Sequence, residues 1–376
     1  MPWKETTTMV ERTEFIALAK KPGTNISALC RSFGISRKTA YKWLKRADET
    51  VDMEDRSRQP HRSPSRTAEG MELRVMEVRE EHPSWGGRKI RRALKNQGFE
   101  GVPAASTITA ILRRHDKINP DEGMKHKPFE RFERERPNEL WQMDFKGYFA
   151  LARGGYCHPL TVIDDHSRFL IGLKACSNET CSTVQTQLSL IFEQFGLPER
   201  MLMDNGSPWG NDFQNHHTIF TTWLIRLGII VSHGRPYHPQ TQGKNERLNR
   251  TLQSEVISRY SMATLPECQS RFDAWQYDYN YVRPHEALQL DTPNTHYCPS
   301  PRPFPAVLPP VTYASDDLIR KVDDSGKISF GNHPFRVGKA FRHQPVAVRP
   351  TLTDGCFEVF FCNQNIASIN LGKDNS

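Results

Sequence analysis

The sequence predicts a multidomain protein in which all-α units come first, an α/β domain with a mixed sheet follows, and a small all-β barrel ends the chain. Three observations carry this prediction. Before residue 117, apolar residues recur at helical spacing between capping residues and glycines. Between residues 140 and 290, short apolar runs alternate with amphipathic helices. After residue 313, several short strand patterns are separated by turn signals, as in small β-barrels.

Residues 1–50 have the layout of a helix-turn-helix DNA-binding domain. Thr24 or Asn25 can cap a first helix, and a Gly-Ile-Ser turn leads into a second, basic helix. The second helix of such a motif lies in the major groove with its first residues on base edges, so Arg37 and Lys38 are the base-reading candidates. An ordinary helical hairpin with a solvated basic face is the alternative. Further along this helix, the candidates for phosphate contacts are Lys42, Lys45 and Arg46.

A polar stretch over 51–68 lacks apolar periodicity, which is typical of a linker. Residues 69–117 then show three segments of helical periodicity separated by two glycine-containing turns, and we interpret Trp85 in the first turn as a packing anchor. This second helical unit is predicted to bind DNA as well, and a second linker over 118–138 follows. In this second helical unit, the basic candidates for DNA contacts include Arg88, Lys89 and Arg92.

The central domain, 139–295, carries three acidic residues in suggestive places. Asp144 and Asp204 end apolar, strand-like runs, and Glu246 lies near the start of a charged helix. Mg²⁺ prefers oxygen ligands and keeps several waters, so a few convergent carboxylates suffice to bind it. Considered one at a time, these three residues have ordinary structural explanations. An Asp beside Gly is usually a turn residue, and a Glu such as Glu246 in a charged helix usually faces solvent. The predicted strands are 140–149, 156–164, 169–175, 199–204 and 228–233.

Residues 139–290 resemble the integrase-type catalytic core of bacterial insertion-sequence transposases, which is similar to that of retroviral integrases. The matching segments, in family order, are NELWQMDFKG, LTVIDDHSRFLIG, MDNGSPW, GRPYHPQTQGKNERLNRTLQSE and YNYVRPHEAL. The resemblance implies an RNase H-like fold and a catalytic D-D-E triad of Asp144, Asp204 and Glu246. It also implies two Mg²⁺ ions, for which Mn²⁺ should substitute, with Asp144 bridging both. Compared with the shortest family pattern, the Asp204–Glu246 interval is longer, with the extra residues assigned to NDFQNHH.

Basic residues surround Glu246, and we expect Lys244, Arg247 and Arg250 to contact DNA phosphates. Arg250 lies four residues after Glu246 and hence on the same helix face. A solvated, salt-bridged helix is the alternative. Two further acids, in DDHSR, have the context of turn and Arg-pairing residues. They are Asp164 and Asp165.

The C-terminal part begins with a Pro-rich linker over 296–312. The predicted barrel over 313–376 resembles the C-terminal β domain of integrase-type transposases, with DNA binding and plain structural support both open as roles. The net charge of +8 favours a polyanionic partner. The eight cysteines include no CxxC pair and are expected to be reduced thiols. No apolar stretch approaches a membrane span, so we expect no membrane partner and a cytoplasmic, nucleoid-associated bacterial protein.

These observations predict a DNA transposase that acts on double-stranded DNA, both transposon ends and target. It should bind end repeats and cut and join DNA strands with Mg²⁺, as a homo-oligomer of at least two chains. Two alternatives come from other functional classes. A catalytically silent DNA-binding repressor would keep only the front helices, and a metal-dependent nuclease would cut without strand transfer.

Overall fold

The computed structural model describes residues 7–49, 53–55, 66–118, 133–210, 217–234 and 243–372. The chain divides into two compact units, 1–66 and 67–376. The division falls within the predicted linker 51–68, whereas most of the second predicted linker lies outside the described residues. The other predicted domain boundaries remain predictions. Within the described parts of the chain, every helix is too short or too polar to span a membrane.

The first unit is a three-helix helix-turn-helix domain, as predicted. Asn25 and Ser36 each accept a hydrogen bond at 3.1 Å from the backbone N–H three residues on, so they cap the second and third helices. The core of this unit includes Phe15, Cys30 and Trp43. The helices are α1 (Thr8–Ala19), α2 (Ile26–Ser32) and α3 (Arg37–Glu49).

The second unit begins with three more helices, and Trp85 packs among them at 2% exposure, which confirms its role as an anchor. Gly87 permits a close helix crossing, because a Cβ there would lie 2.3 Å from the carbonyl oxygen of Ala105. The absence of a side chain at this position lets the second and third of these helices touch. They are α4 (Glu69–Glu81), α5 (Gly87–Asn96) and α6 (Ala105–Arg114).

A six-stranded mixed sheet forms the centre of this unit, where the sequence predicts five strands. The predicted strand 140–149 is divided into Trp141–Phe145 and Phe149–Ala150, because the chain leaves the sheet at 146–148, and the other four strands lie within a few residues of the predictions. Its order is β2-β3-β1-β5-β6, and β4 pairs with β3. The pairs β1–β5 and β5–β6 are parallel, and the remaining pairs are antiparallel. The strands are β1 (Trp141–Phe145), β2 (Phe149–Ala150), β3 (Tyr156–Asp164), β4 (Leu170–Cys176), β5 (Arg200–Met203) and β6 (Ile230–His233).

Helices cover both faces of this sheet. Successive side chains of a strand point to opposite faces, so each face contributes its own set of buried apolar residues. Val162 and Leu188 belong to the core on one face, and Ile163, Leu248 and Phe272 to the core on the other. The helices are α7 (Cys181–Phe195), α8 (Ile219–Arg226), α9 (Gly243–Leu252) and α10 (Leu265–Tyr277). The π-helical segments Gln253–Ile257 and Asp278–Val282 extend α9 and α10, and short 3₁₀ helices span Glu286–Leu288, Pro293–His296 and Lys339–Phe341.

The C-terminal part is all-β, but the predicted barrel is not closed among residues 317–372. The order β12-β11-β10-β7 makes one antiparallel sheet, while β8 and β9 pair only with each other. This hairpin contacts the sheet through side chains, such as Phe330 against Phe357 at 4.7 Å between ring centroids. The strands are β7 (Leu318–Lys321), β8 (Lys327–Phe330), β9 (His333–Arg336), β10 (Pro345–Pro350), β11 (Cys356–Phe361) and β12 (Gln364–Asn370).

Candidate active site

Asp144 and Asp204 meet at the carboxyl ends of neighbouring parallel strands. β1 and β5 pair with Trp141 opposite Met201, and the next residue of each strand continues this register. Two further residues along both strands bring Asp144 beside Asp204. Sites in α/β sheets commonly lie at such strand ends. The structure thus brings together two acids that are sixty positions apart in the sequence.

Hydrogen bonds from three neighbouring segments position this pair. Asn249 of α9 donates through Nδ2 to Oδ2 of Asp144 at 3.0 Å. The backbone N–H of Gly206 donates to Oδ1 of Asp204, also at 3.0 Å. His233 Nδ1 lies 2.8 Å from the backbone oxygen of Asp204, so the ring makes a hydrogen bond to this loop. Both carboxylates are therefore oriented by amide groups.

The electrostatics of the pair favour a bound cation. Burial, and then the neighbouring charge of Asp204, raise the pKa of Asp144 to about 7, although the Asn249 hydrogen bond opposes the shift. Burial also raises the pKa of Asp204. Glu179 raises both values further. Adjacent acids with raised pKa values mark a place where negative charge is concentrated and a metal ion would relieve it.

Glu246 lies on α9, exposed to solvent, one helical turn before Asn249. Because Asn249 reaches Asp144, α9 crosses the end of β1, and Glu246 shares the face that approaches the pair. Among the described residues, however, no three His, Cys, Asp or Glu side chains form a metal-ligand group. The structure therefore brings two members of the predicted triad together and leaves the third on the adjacent helix. Residues 235–242 and most of the segment NDFQNHH lie outside the described residues.

The two acids of DDHSR are fully buried and have structural partners. Asp164 accepts hydrogen bonds from the backbone N–H of Asn138 at 2.8 Å and from Ser167 Oγ at 2.6 Å. Asp165 forms an ion pair with Lys244 at 2.5 Å. Lys244 thus has a protein partner in this structure, and its phosphate contact remains a prediction. A buried carboxylate needs a cation, and Lys244 supplies it.

Asn249 and Glu179 act on the aspartate pair but were not found from the sequence. Asn249 could have been noticed by its spacing of three from Glu246. Glu179 precedes α7, where Thr180 provides the cap, and its Oε1 lies 2.8 Å from Nδ1 of His158 on β3. Nothing local in the sequence relates Glu179 to residues on β1 and β5, because the sheet alone brings them together.

In the first unit, four of the five predicted DNA contacts are exposed along α3. The exception is Arg46, which is 8% exposed and holds its guanidinium 5.0 Å from the centroid of the Trp43 ring. The Arg46 side chain is therefore buried beside Trp43, and the structure does not support its predicted phosphate contact. The exposed candidates are Arg37, Lys38, Lys42 and Lys45.

In the second unit, the basic candidates are placed differently from one another. Arg88 is exposed and Lys89 is half-buried on α5. Arg92 forms an ion pair with Asp291. It therefore attaches α5 to the rest of the unit, which does not support the predicted DNA contact. Arg247 and Arg250 are both exposed on α9, and their spacing of three residues puts them on neighbouring positions of one helix face.

The Asp144→Asn variant should be more stable than the wild type in metal-free solution above neutral pH. A carboxyl whose folded pKa is raised contributes its stability in the protonated form and loses it as pH rises to about 7. The uncharged amide avoids that loss, by about 1–2 kcal/mol after allowance for solvent screening. Urea unfolding from pH 4 to 8 measures it, with Asp354→Asn in an exposed turn as control. A difference independent of pH would contradict the expectation.

Family models match most of the chain. An integrase core domain matches residues 134–239 and a second integrase core domain model matches 227–293. The C-terminal domain of IS481 family transposases matches 317–376. A helix-turn-helix domain matches 11–61, and a homeodomain-like domain matches 39–112. The matches follow the same order as the helical, α/β and all-β parts of the structure.

Similar proteins include an uncharacterized protein of insertion element IS407 from Burkholderia multivorans, 25% identical over 42% of this chain and 54% of the relative. A putative integrase of Spiroplasma virus SpV1-C74 is 26% identical over 41% of this chain and 46% of the relative. The chain thus spans about half the length of these curated relatives.

A solved structure, the simian T-cell lymphotropic virus intasome with a PP2A regulatory subunit, aligns with a TM-score of 0.40 and 16% identity, covering 79% of this chain and 96% of that one. The family matches rest on the sequence and not on this alignment. They combine front helix-turn-helix domains, an integrase core and a transposase-specific C-terminal domain in a single chain. The matched domains are those of insertion-sequence transposases with an integrase-type core, and the chain is similar to this group of proteins.

Proposed function

We propose that this protein is a DNA transposase that binds transposon ends and catalyses Mg²⁺-dependent strand cleavage and strand transfer. The observation that carries the proposal is the Asp144–Asp204 pair at the ends of β1 and β5. The helix that bears Glu246 is held against this pair by Asn249. Such an arrangement concentrates negative charge where a metal ion and a phosphodiester can meet.

In this mechanism Asp144, Asp204 and Glu246 would hold the metal, and Asn249 would orient Asp144. When bound, Mg²⁺ lowers the pKa of a water or a DNA 3′-hydroxyl and offsets the charge of the transferring phosphoryl group. The resemblance to integrase-type transposases further implies that the site takes two metal ions and that Mn²⁺ can replace Mg²⁺. The exposed cations Arg247 and Arg250 would position the phosphates of the strand at the site. No histidine is required as a base.

Recognition is assigned to the helical units. Arg37 and Lys38 at the start of α3 are proposed to read bases in the major groove, and Lys42 and Lys45 to contact phosphates. Arg88 at the exposed side of α5 would add a phosphate contact. Two transposon ends must be joined to target DNA in one reaction, so we propose that at least two chains act together on double-stranded DNA.

The proposal is tested by incubating the protein with a labelled duplex of its own terminal repeat and a target plasmid. Joined products that require Mg²⁺ or Mn²⁺ and disappear with a chelator are expected. Sequence-specific binding without any cleavage would instead identify a repressor. Cleavage without joined products, in either metal, would identify a nuclease.

Arg37→Ala should reduce the preference for the terminal repeat over unrelated DNA, because one good base contact is worth about 1–3 kcal/mol. Lys45→Ala, on the same helix and also exposed, is the matched comparison. It should weaken binding to all sequences and reduce the salt slope by about one. Binding to repeat and unrelated duplexes over a range of salt concentrations distinguishes them. Equal, sequence-independent losses from both variants would exclude a base-reading role for Arg37.

Arg250→Ala should cut poorly at limiting DNA with an unchanged Mg²⁺ midpoint, because Arg250 is proposed to hold a phosphate and not the metal. Misplacement by about 1 Å can cost on the order of 10²-fold in rate. Arg250→Lys should recover part of the activity, since a point charge still attracts phosphate without the bidentate contact. A Mg²⁺ titration of cleavage is the measurement. A shifted midpoint with normal DNA binding would assign Arg250 to support of the metal site.

A further inference from the structure

The C-terminal β part shares one hydrophobic core with the catalytic sheet. The buried cluster that contains Val162 of β3 continues through Val231 of β6 to Phe361 of β11. A polar contact joins the same two parts, since Thr222 Oγ1 of α8 donates a hydrogen bond to the backbone oxygen of Ala340 at 3.3 Å. Both parts belong to one compact unit. The C-terminal strands are therefore packed against α8 and β6 of the catalytic domain.

One side chain of the C-terminal part bonds to the outer edge of β6, the strand at the end of the catalytic sheet. Ile230 donates its backbone N–H to Glu199 on the β5 side at 2.9 Å, so the N–H and C=O of Val231 point to the other side. Gln364 bonds to both groups. Its Oε1 accepts from the Val231 N–H at 2.9 Å, and its Nε2 donates to the Val231 oxygen at 3.1 Å. A single amide group thus takes the place of a neighbouring strand.

The far end of β6 holds the turn that carries Asp204. His233 Nδ1 lies 2.8 Å from the backbone oxygen of Asp204. The N–H of Gly234 donates to the last backbone oxygen of β5, and Asn205 Nδ2 donates to the oxygen of Gly234, both at 2.9 Å. Val231 lies two residues before His233 in the same strand. The placement of β6 beside β5 therefore determines the placement of the backbone at Asp204.

Gln364 is presented to β6 by a well-packed hairpin. It begins β12 and pairs with Phe361 across the turn that joins β11 to β12. The Phe361 ring is fully buried, with its centroid 5.1 Å from that of Phe341. In the turn itself, the N–H of Cys362 donates to the hydroxyl of Tyr313 at 3.3 Å. Because the backbone beneath the amide is held in this way, little conformational freedom remains to be lost when Gln364 bonds to β6.

We infer that Gln364 is a positioning residue for Asp204, and that the C-terminal β part acts as a fixed support of the catalytic centre. Without the amide, the N–H and C=O of Val231 would lack these partners, and the edge strand would separate from β5 more readily. That movement would reach Asp204 through His233 and Gly234. The link from Gln364 to the Asp204 turn stands on these hydrogen bonds alone. Its consequence for metal binding rests on the proposed function.

Hydrogen exchange of the full chain without metal tests the link. In Gln364→Ala, the amides of 203–206 and 230–234 should exchange about tenfold faster or more, because two hydrogen bonds of ordinary strength are lost. Asn365→Ala changes the exposed next residue of β12 and should leave both segments at the wild-type rate. Faster exchange confined to residues 313–372 would show that Gln364 supports only its own sheet, and would overturn the inference.

Gln364→Glu keeps the size of the side chain and makes the effect depend on pH. Above the carboxyl pKa, the carboxylate can accept from the Val231 N–H but faces the Val231 oxygen without a proton to donate. When protonated, at about pH 4 and below, it can again make both bonds. Its exchange protection should therefore approach that of the wild type at low pH and that of Gln364→Ala at about pH 8. The same protection at both pH values, relative to the wild type, would overturn the role of the amide.

Mn²⁺ binding without DNA, followed by electron paramagnetic resonance, tests the consequence for the metal. Gln364→Ala should bind Mn²⁺ several-fold more weakly than the wild type and Asn365→Ala, while all three bind a terminal-repeat duplex equally in EDTA. Cleavage by Gln364→Ala should need correspondingly more Mg²⁺. Unchanged Mn²⁺ affinity beside faster exchange would overturn the positioning role. A wild type that neither binds Mn²⁺ nor cuts would refute the proposed function, whereas faster exchange at Asp204 in Gln364→Ala would still support the link.

Discussion

Asp204→Asn is expected to abolish metal-dependent DNA cleavage while DNA binding stays close to the wild-type level. The amide keeps the shape of the side chain and its hydrogen bond from Gly206 but removes the charge that would hold the metal. A bound metal contributes several kcal/mol to the transition state, so the loss in rate should be on the order of 10³-fold or more. Single-turnover cleavage of a terminal-repeat duplex and a gel-shift titration measure the two quantities.

The same result is expected for Asp144→Asn and Glu246→Gln, with Asp354→Asn as a control that makes the identical chemical change far from the site. A wild-type cleavage rate for Asp204→Asn would show that the site is misassigned. Glu246→Gln is the most informative of the three, because Glu246 is exposed and stands apart from the carboxylate pair. If it alone retained activity, Glu179→Gln would be the next variant, since Glu179 acts electrostatically on both aspartates.

Glu255→Ala is expected to destabilise the unit formed by residues 67–376 by about 3–5 kcal/mol, because it leaves a nearly buried arginine without its acid. Glu255 accepts hydrogen bonds from Arg283, Ser84 and, at 2.8 Å, Trp275 Nε1. Although burial acts in the opposite direction, Arg283 holds the pKa of Glu255 below its usual value. Urea unfolding monitored by tryptophan fluorescence provides the measurement.

A surface ion pair supplies the control for this prediction. Glu77 pairs with Arg74 on the exposed side of α4, at 2.7 Å and with about half of each side chain in solvent. Glu77→Ala should cost less than about 1 kcal/mol. Glu255→Gln keeps the hydrogen-bonding shape, so its loss in the free energy of unfolding should lie between those of Glu255→Ala and Glu77→Ala. Similar small losses for Glu255→Ala and Glu77→Ala would mean that the buried network does not stabilise the unit.

What the sequence predicted well is what local patterns determine. A helix cap such as Asn25 and a short apolar run are properties of neighbouring residues, and the corresponding helix and strands lie within a few residues of the predictions. The meeting of Asp144 and Asp204 also follows once two strands are known to be parallel neighbours. The barrel did not follow, since closure depends on which edges pair, and short strands do not encode that choice.

The site predictions that the structure does not support concern the partners of long basic side chains. Lys244, Arg92 and Arg46 all occur in basic helices, and each could equally face DNA or the protein. The choice is made by residues far away in the chain, Asp165 and Asp291 among them. Composition and spacing carry no information about such distant acids, so charge alone overestimates the number of cations available to a nucleic acid.

The hydrogen bond between Ser84 and Glu255 limits which domains can be exchanged between related proteins. Glu246 and Glu255 are nine residues apart in one continuous helical stretch, about 13 Å at the usual rise per residue. The position of Glu255 therefore affects the position of Glu246. Replacing residues 67–117 with another helical unit would remove Ser84 and Arg92, and with them the contacts to Glu255 and Asp291. Residues 1–66 form a compact unit of their own, so exchanging them would leave these contacts in place.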